Sequence, residues 1–197
     1  MSHAIYNAEG FILKSVNFNE ANKYYYIFTR EFGLLKASAQ GVRHMQSKLR
    51  YGLSDFSLAR ISLVRGKETW RLTGAELVSD FKKISPGEQD KFLLITRIFS
   101  LLLRLLHGEE KNELLFDYLF HGLKFLQTEN LEKNNLEDFE CVLALRILSS
   151  LGYIGQMGDF DQFSQSPYFT KELLSMMSSL KSRAIFEINK SLKETHL

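Results

Sequence analysis

The feature that most constrains this chain is a change of hydrophobic period at Ser85-Pro86-Gly87-Glu88. Before it, apolar residues come in short β-branched and aromatic runs divided by turn residues. After it, they recur every three or four positions. A segment patterned for one period cannot keep its apolar face inward in the other conformation. Two parts are therefore expected, residues 1–80 and residues 81–197. Ser85 suits a helix N-cap, Pro86 the first helical position, and Glu88 completes a capping box.

The first part reads as five strands. Ala4 to Val16 contains the run Gly10-Phe11-Ile12-Leu13-Lys14, and Lys23 to Thr29 is aromatic and β-branched, with Glu31-Phe32-Gly33 as a turn. Leu34 to Ala39 returns, Phe56 to Val64 follows, and Arg65-Gly66-Lys67 turns into Thr69 to Thr73, with a bulge at Gly74. Five short strands joined by tight turns favour a small closed barrel, which leaves no open edge. The second part reads as helices. One carries Phe92, Ile95, Phe99, Leu102 and Leu106 and stops at Gly108; a second runs from Leu114 to Leu126; a third opens at Asn134-Asn135 and stops at Gly152. Met157 to Pro167 reads as a loop. Thr170 caps a helix through Leu173, Leu174 and Met177, and a last helix begins near Ser182. The fold class is α+β, a five-stranded barrel followed by an all-α domain.

Several chemistries find no residues to perform them. No phosphate-cradling glycine loop and no HExxH helix is present, and His3, His44, His107, His121 and His196 are scattered. The acidic pairs Glu109-Glu110 and Glu137-Asp138 read as helix-start residues favoured by the dipole. A single cysteine, Cys141, excludes an internal disulfide and a multi-cysteine zinc site, and reads as a small hydrophobe on a helix. No catalytic site, metal, cofactor or small-molecule substrate is expected. Residues 1–6 show no basic-then-apolar leader. The apolar run Phe92 to Leu106 is 15 residues long and carries Arg97 and Arg104, too short and too charged to span a bilayer. A cytoplasmic protein is expected.

Charge supplies the functional signal. Residues 1–80 hold 11 Lys and Arg against 7 Asp and Glu, whereas residues 81–197 hold 14 against 16. The window Phe32 to Ser54 contains Lys36, Arg43, Lys48 and Arg50, together with His44, and no acid. Its glycine-punctuated middle reads as a loop or strand edge, where cations reach phosphates and release their condensed counterions. Tyr24 and Tyr26 fall on one face of their strand and Tyr25 on the other, so one side is core and the other could stack bases. On the first long helix, Arg97 and Arg104 share a face with Ser100 between them. That stripe is either a solvated edge or a cationic clamp beside an apolar groove, suited to an acidic, hydrophobic peptide tail.

The order of these features resembles the RecO family of recombination mediators. Glu9-Gly10-Phe11-Ile12-Leu13-Lys14 is similar to that family's first strand, and Phe28-Thr29-Arg30-Glu31-Phe32-Gly33-Leu34-Leu35 to its FTxExGxL segment. Ala39-Gln40-Gly41-Val42-Arg43 with Ser47-Lys48-Leu49 resembles its AKGARxxxSxL stretch. Leu115-Phe116-Asp117-Tyr118-Leu119 and Leu145-Arg146-Ile147-Leu148, ending in Leu151-Gly152-Tyr153, resemble its helical signatures. The resemblance implies an N-terminal OB-fold that binds single- and double-stranded DNA; Arg43 and Lys48 fall on its basic stretch, and with Lys36, His44 and Arg50 of the acid-free window they make up the expected DNA-facing set. It implies strand annealing, loading of RecA on DNA coated by the single-strand-binding protein SSB, and RecR as a partner. The SSB C-terminal tail would dock on the helical domain at Arg97, Arg104 and Arg146, of which Arg146 is the position matching the family pattern. The location implied is cytoplasmic and nucleoid-associated. Two departures stand out. Many members carry a four-cysteine zinc site after the Leu-Gly-Tyr segment, and residues 154–170 here have no cysteine. The family's lysine before the glycine is Gln40. The chain is also short for the family. Competing readings are a protein-interaction adaptor that has lost DNA binding, and an OB-type RNA-binding protein.

Overall fold

The computed structural model describes residues 4–67, 69–83, 88–155 and 158–194. It divides into two compact units, Met1–Lys83 with Leu106–Asn112, and Ile84–Leu105 with Glu113–Leu197. The segment 106–112, read from the sequence as part of the helical half, thus folds with the strands. Leu34 N donates to Gly108 O at 3.2 Å there, and Glu109 is bonded to Arg65 and Trp70.

The first unit is a closed barrel in the order β1-β2-β3-β5-β4, the OB-fold arrangement the resemblance implied. Its strands are β1 (Ile5–Phe18), β2 (Asn22–Thr29), β3 (Gly33–Ala39), β4 (Ser57–Arg65) and β5 (Trp70–Asp80), with a one-turn helix α1 (Leu49–Gly52) between β3 and β4. Closure depends on the length of β1, which pairs with β4 through Ile5–Ile12 and with β2 through Gly10–Phe18. Where β1 serves both neighbours, Gly10 leaves room for the side chain of Ile27; a Cβ there would lie 2.6 Å from Ile27 Cγ2. The barrel interior is filled by Ile12, Tyr25, Ile27, Leu35, Leu63 and Trp70, all buried, each worth about 1.5–3 kcal/mol of hydrophobic burial. The β4–β5 register slips between Ser62/Gly74 and Leu63/Leu72, so the bulge residue is Thr73, one position before the glycine expected to mark it. β5 runs on to Asp80, well past Thr73. Its second half alternates only between half-buried and exposed, so the pattern that betrays a strand is weak there. Phe56 has φ +60° and stands outside β4, which begins at Ser57.

The second unit contains α2 (Gln89–Leu105), α3 (Glu113–Thr128), α4 (Lys133–Ser150), a 3-10 turn (Gly158–Phe163) and α5 (Lys171–Glu194). The expected capping box at Ser85 and Pro86 lies outside the described residues. Helix α4 is central, packing against α2, α3 and α5, and is buried on nearly every side. The two helices expected after Thr170 are one continuous α5. Thr170 does cap it, accepting from Leu173 N at 3.2 Å. Nothing between Met177 and Ser182 breaks it; Ser179 Oγ donates back into the helix, to Met176 O at 2.9 Å. The loop expected from Met157 to Pro167 holds the 3-10 turn, whose Phe160 and Phe163 are buried.

The acidic pairs are placed differently from expectation. Glu109 and Glu110 precede α3, and Glu109 is an ion-pair partner rather than a dipole residue. Glu137 and Asp138 lie in the second turn of α4, where Lys181 on α5 reaches both, at 2.8 and 3.1 Å. Cys141 is buried on α4, and burial pushes its thiol up to about 11.

Candidate nucleic-acid interface

The loop after β3 is held against the β1–β2 turn. Asn19 takes φ +59°, a conformation Asn tolerates. Arg43 N donates to Ala21 O at 3.0 Å, Arg43 Nη1 to Asn19 O at 3.0 Å, and Gly41 N to Asn22 Oδ1 at 2.8 Å. Three successive turn bonds then carry the chain into α1: His44 N to Gly41 O, Ser47 N to His44 O, and Arg50 N to Ser47 O. An otherwise polar loop thereby has a defined path, and its cations have defined places.

Arg43 and Arg50 line one groove of about 430 Å³, and Lys23 and Lys82 join them there. Asp55 is the one acid in its lining, and Tyr25 forms part of the floor. Burial first, and the nearby Asp55 second, push the Tyr25 phenol up to about 12, so it stays neutral. Lys23 is steadied by Ser15 Oγ at 3.3 Å. The remaining residues of the sequence-derived set stand apart from this groove. Lys36 projects from the outer face of β3, its Nζ 4.6 Å from the centroid of Tyr24. His44 and Lys48 are exposed on the loop and at the start of α1. Tyr25 is the core-facing member of the tyrosine run, while Tyr24 and Tyr26 are half-buried on the outer face.

Lys23 and Lys82 escaped sequence reasoning for a simple reason. Both lie outside the acid-free window, and Lys82 is brought in only by the full length of β5. Lys23 had a faint signal, because its hairpin pairing opposite Asn17 places it beside the loop's anchor at Asn19.

In the helical unit the three arginines separate. Arg97 makes a bidentate pair with Glu140, Nε and Nη2 each 2.6 Å from a carboxylate oxygen, which holds the guanidinium protonated. Arg104 Nη2 lies 3.4 Å from Leu192 O. Beside Arg97 runs a largely apolar groove of about 370 Å³ lined by Ile98, Leu101, Ala144, Ile185 and Leu192, together with the carboxylates Glu137 and Glu140. Arg146, expected among the partner-facing residues, is only 1% exposed. It donates to Phe163 O at 2.5 Å and to Pro167 O and Tyr168 O at 3.1 Å each, with its guanidinium 4.2 Å from the Phe169 ring. Each nitrogen of that fork donates to one of the protein's own carbonyls and its plane lies near the Phe169 and Tyr118 rings, so Arg146 organises residues 163–169 and offers no surface to a peptide.

Residues 154–170, where the resemblance would place a zinc site, do not fit that metal. They include no cysteine, Asp159 is paired with Arg183 at 2.6 Å, and no metal-binding cluster is found among the described residues. No helix among them is long and apolar enough to cross a membrane.

Residues 1–81 match the family model described as "Recombination protein O N terminal". A "DNA repair protein RecO" of Caldanaerobacter subterraneus subsp. tengcongensis is 30% identical over 146 residues, which are 74% of this chain and 58% of that protein. One from Heliobacterium modesticaldum is 30% identical over 78% of this chain and 54% of its own length. One from Halalkalibacterium halodurans is 23% identical over 61% and 47%. The chain thus matches about half the length of these curated relatives.

Proposed function

Because this chain belongs to the RecO family, we propose that it acts in DNA repair and recombination as a non-enzymatic DNA-binding mediator. The single observation that carries this reading is the polar groove in which Lys23, Arg43, Arg50 and Lys82 converge around one acid. Such a groove tracks a phosphate backbone. Lys36, His44 and Lys48, exposed near it in sequence, extend the basic surface. In this reading the barrel binds single- and double-stranded DNA and supports strand annealing, and the protein works with RecR to load recombinase on SSB-coated DNA in the cytoplasm, at the nucleoid.

The test is single-strand binding as a function of salt. Four phosphate contacts correspond to a slope of log K on log salt of roughly −3, at about −0.7 per contact. Replacing Arg43, Lys48 and Arg50 by Glu together is expected to flatten that slope and weaken binding. Unchanged binding by the triple variant would move the site elsewhere, and preference for a matched RNA oligonucleotide would favour the RNA reading.

The apolar groove beside Arg97 supports a docking place for the acidic SSB tail, with Arg97 and Arg104 as the cations. A labelled tail peptide is expected to lose affinity on Arg97→Glu with Arg104→Glu; full retention would displace the tail site from α2.

A further inference from the structure

The groove beside Arg97 already holds a carboxylate. Glu140 on α4 receives Nε and Nη2 of Arg97 at 2.6 Å each, one on each oxygen. That fork-to-fork contact is the grip a guanidinium offers any incoming carboxylate. Apolar walls stand beside it, Ile98 and Leu101 from α2 and Ile185 and Leu192 from α5. A carboxylate held by Arg97 next to an apolar trough is the combination that an acidic peptide with apolar side chains would form there. Glu140 occupies the place of such a peptide's own charge.

The charged residues of the lining are Arg97, Glu137 and Glu140. Glu137 is answered by Lys181 Nζ at 2.8 Å, and the same ammonium reaches Asp138 Oδ1 at 3.1 Å. Asp138 is buried, so withdrawing Lys181 would leave a carboxylate in the core without its cation. Lys181 is therefore fixed. The Arg97 pair is not. The Arg97 side chain is 57% exposed and that of Glu140 28%, so water can receive either charge when the pair opens. Of the two cations, Arg97 is the exchangeable one, and in the closed pair its charge is spent on Glu140.

We propose that Glu140 is an internal competitor for the acidic tail: it holds Arg97 in a closed pair, and the tail binds by exchanging its own carboxylate for that of Glu140. This rests on the tail-docking reading above and adds the regulation of that site. Removing the Glu140 charge should raise tail affinity about two- to fivefold, the range set by exposed pairs of this kind. Salt dependence should change with it. In the wild-type protein the exchange replaces one ion pair by another, so screening acts on both sides of the equilibrium. Without the Glu140 charge the pair with the tail is new, and salt weakens it.

The test is a double-mutant cycle on the full chain, with wild type, Glu140→Gln, Arg97→Gln and the double variant titrated with the labelled tail peptide at low and moderate salt. Glu140→Ala stands beside Glu140→Gln, because it also removes the amide oxygen that could still accept from Arg97. Both Glu140 variants are expected to bind more tightly and with a steeper salt dependence than wild type, and the gain should vanish in the Arg97→Gln background. An equal gain in both backgrounds overturns the proposal, since Glu140 would then act only as a distant negative charge. Unchanged or weaker binding by the Glu140 variants, with Arg97→Gln still weakening it, also overturns the proposal but leaves the tail site standing; Glu140 would then position Arg97. Binding that ignores Arg97, or no binding by any of the proteins, overturns both. A peptide with lysine in place of each acid serves as control. Its binding to wild type more tightly than the acidic tail would likewise overturn both and make Glu137 and Glu140 the contacts.

Discussion

Replacing Arg146 by methionine removes three donors from three carbonyls, those of Phe163, Pro167 and Tyr168, while nearly preserving side-chain volume. Each buried carbonyl left without a donor costs about 1–3 kcal/mol, so the loss is roughly 6 kcal/mol if no water enters. An opposing gain arises because the guanidinium is no longer desolvated. Burial pushes the Arg146 pKa down to about 10 from 12.5, and that depression corresponds to about 3 kcal/mol. The net expectation is a destabilisation of about 3 kcal/mol, most of it local to residues 158–170. Arg146→Lys retains the charge but not the planar fork, and should recover part of the loss. Hydrogen exchange resolved by segment is the suitable assay, because two units need not unfold in one step. The 3-10 turn and the strand of chain to Phe169 should lose protection before α4 does. Methionine and wild-type proteins of equal stability and equal protection would refute the assignment of Arg146 as the organiser of this segment.

Gly33→Ala should cost at least about 2 kcal/mol in a urea titration, because Gly33 has φ +70° and a Cβ would collide with the Glu110 carbonyl. The Cys141 thiol, raised by burial from 9.0 to about 11, favours the folded state while it is neutral. Its contribution is whole below about pH 9 and is lost as pH rises to about 11, roughly 3 kcal/mol. Cys141→Ala should remove that alkaline loss in denaturation curves recorded across the range, and an identical loss in the variant would assign it to other groups. Glu109→Gln keeps an acceptor for Trp70 Nε1 but releases Arg65 from an exposed pair worth about 0.2–1 kcal/mol. If Arg65 contacts phosphate, single-strand affinity should rise up to about fivefold, read by fluorescence anisotropy; a fall would contradict that role.

Much of the architecture was legible in the residues themselves. Alternation in Lys23–Thr29 and Leu34–Ala39, the turn residues between them, and the helical period from Phe92 onward are local properties, set by which side chains can face a core at once. The helical breaks were legible only where a breaker exists. Gly152 follows the end of α4, but the serine-rich stretch within α5 reads as an interruption and is accommodated in the helix, Ser179 bonding back to Met176 O. The second half of β5 was not legible, because neither of its faces is fully buried.

The candidate site divides along the same line. An acid-free window is a property of sequence, and it identified Arg43 and Arg50 as groove residues. The groove's other cations, Lys23 and Lys82, come from positions far apart in the chain, and only closure of the barrel and the run of β5 to Asp80 bring them to it. Arg146 shows the converse. Its place on a helix was readable, but a charged residue is expected at a surface, and only the packing of residues 163–169 over α4 supplies the three carbonyls that let it be buried. By itself the sequence determined the period of each segment and the sign of each local charge, which depend on neighbours in the chain. Tertiary structure alone decided which charges share a groove and which are consumed inside the fold, because those outcomes depend on residues that meet only after the chain has closed.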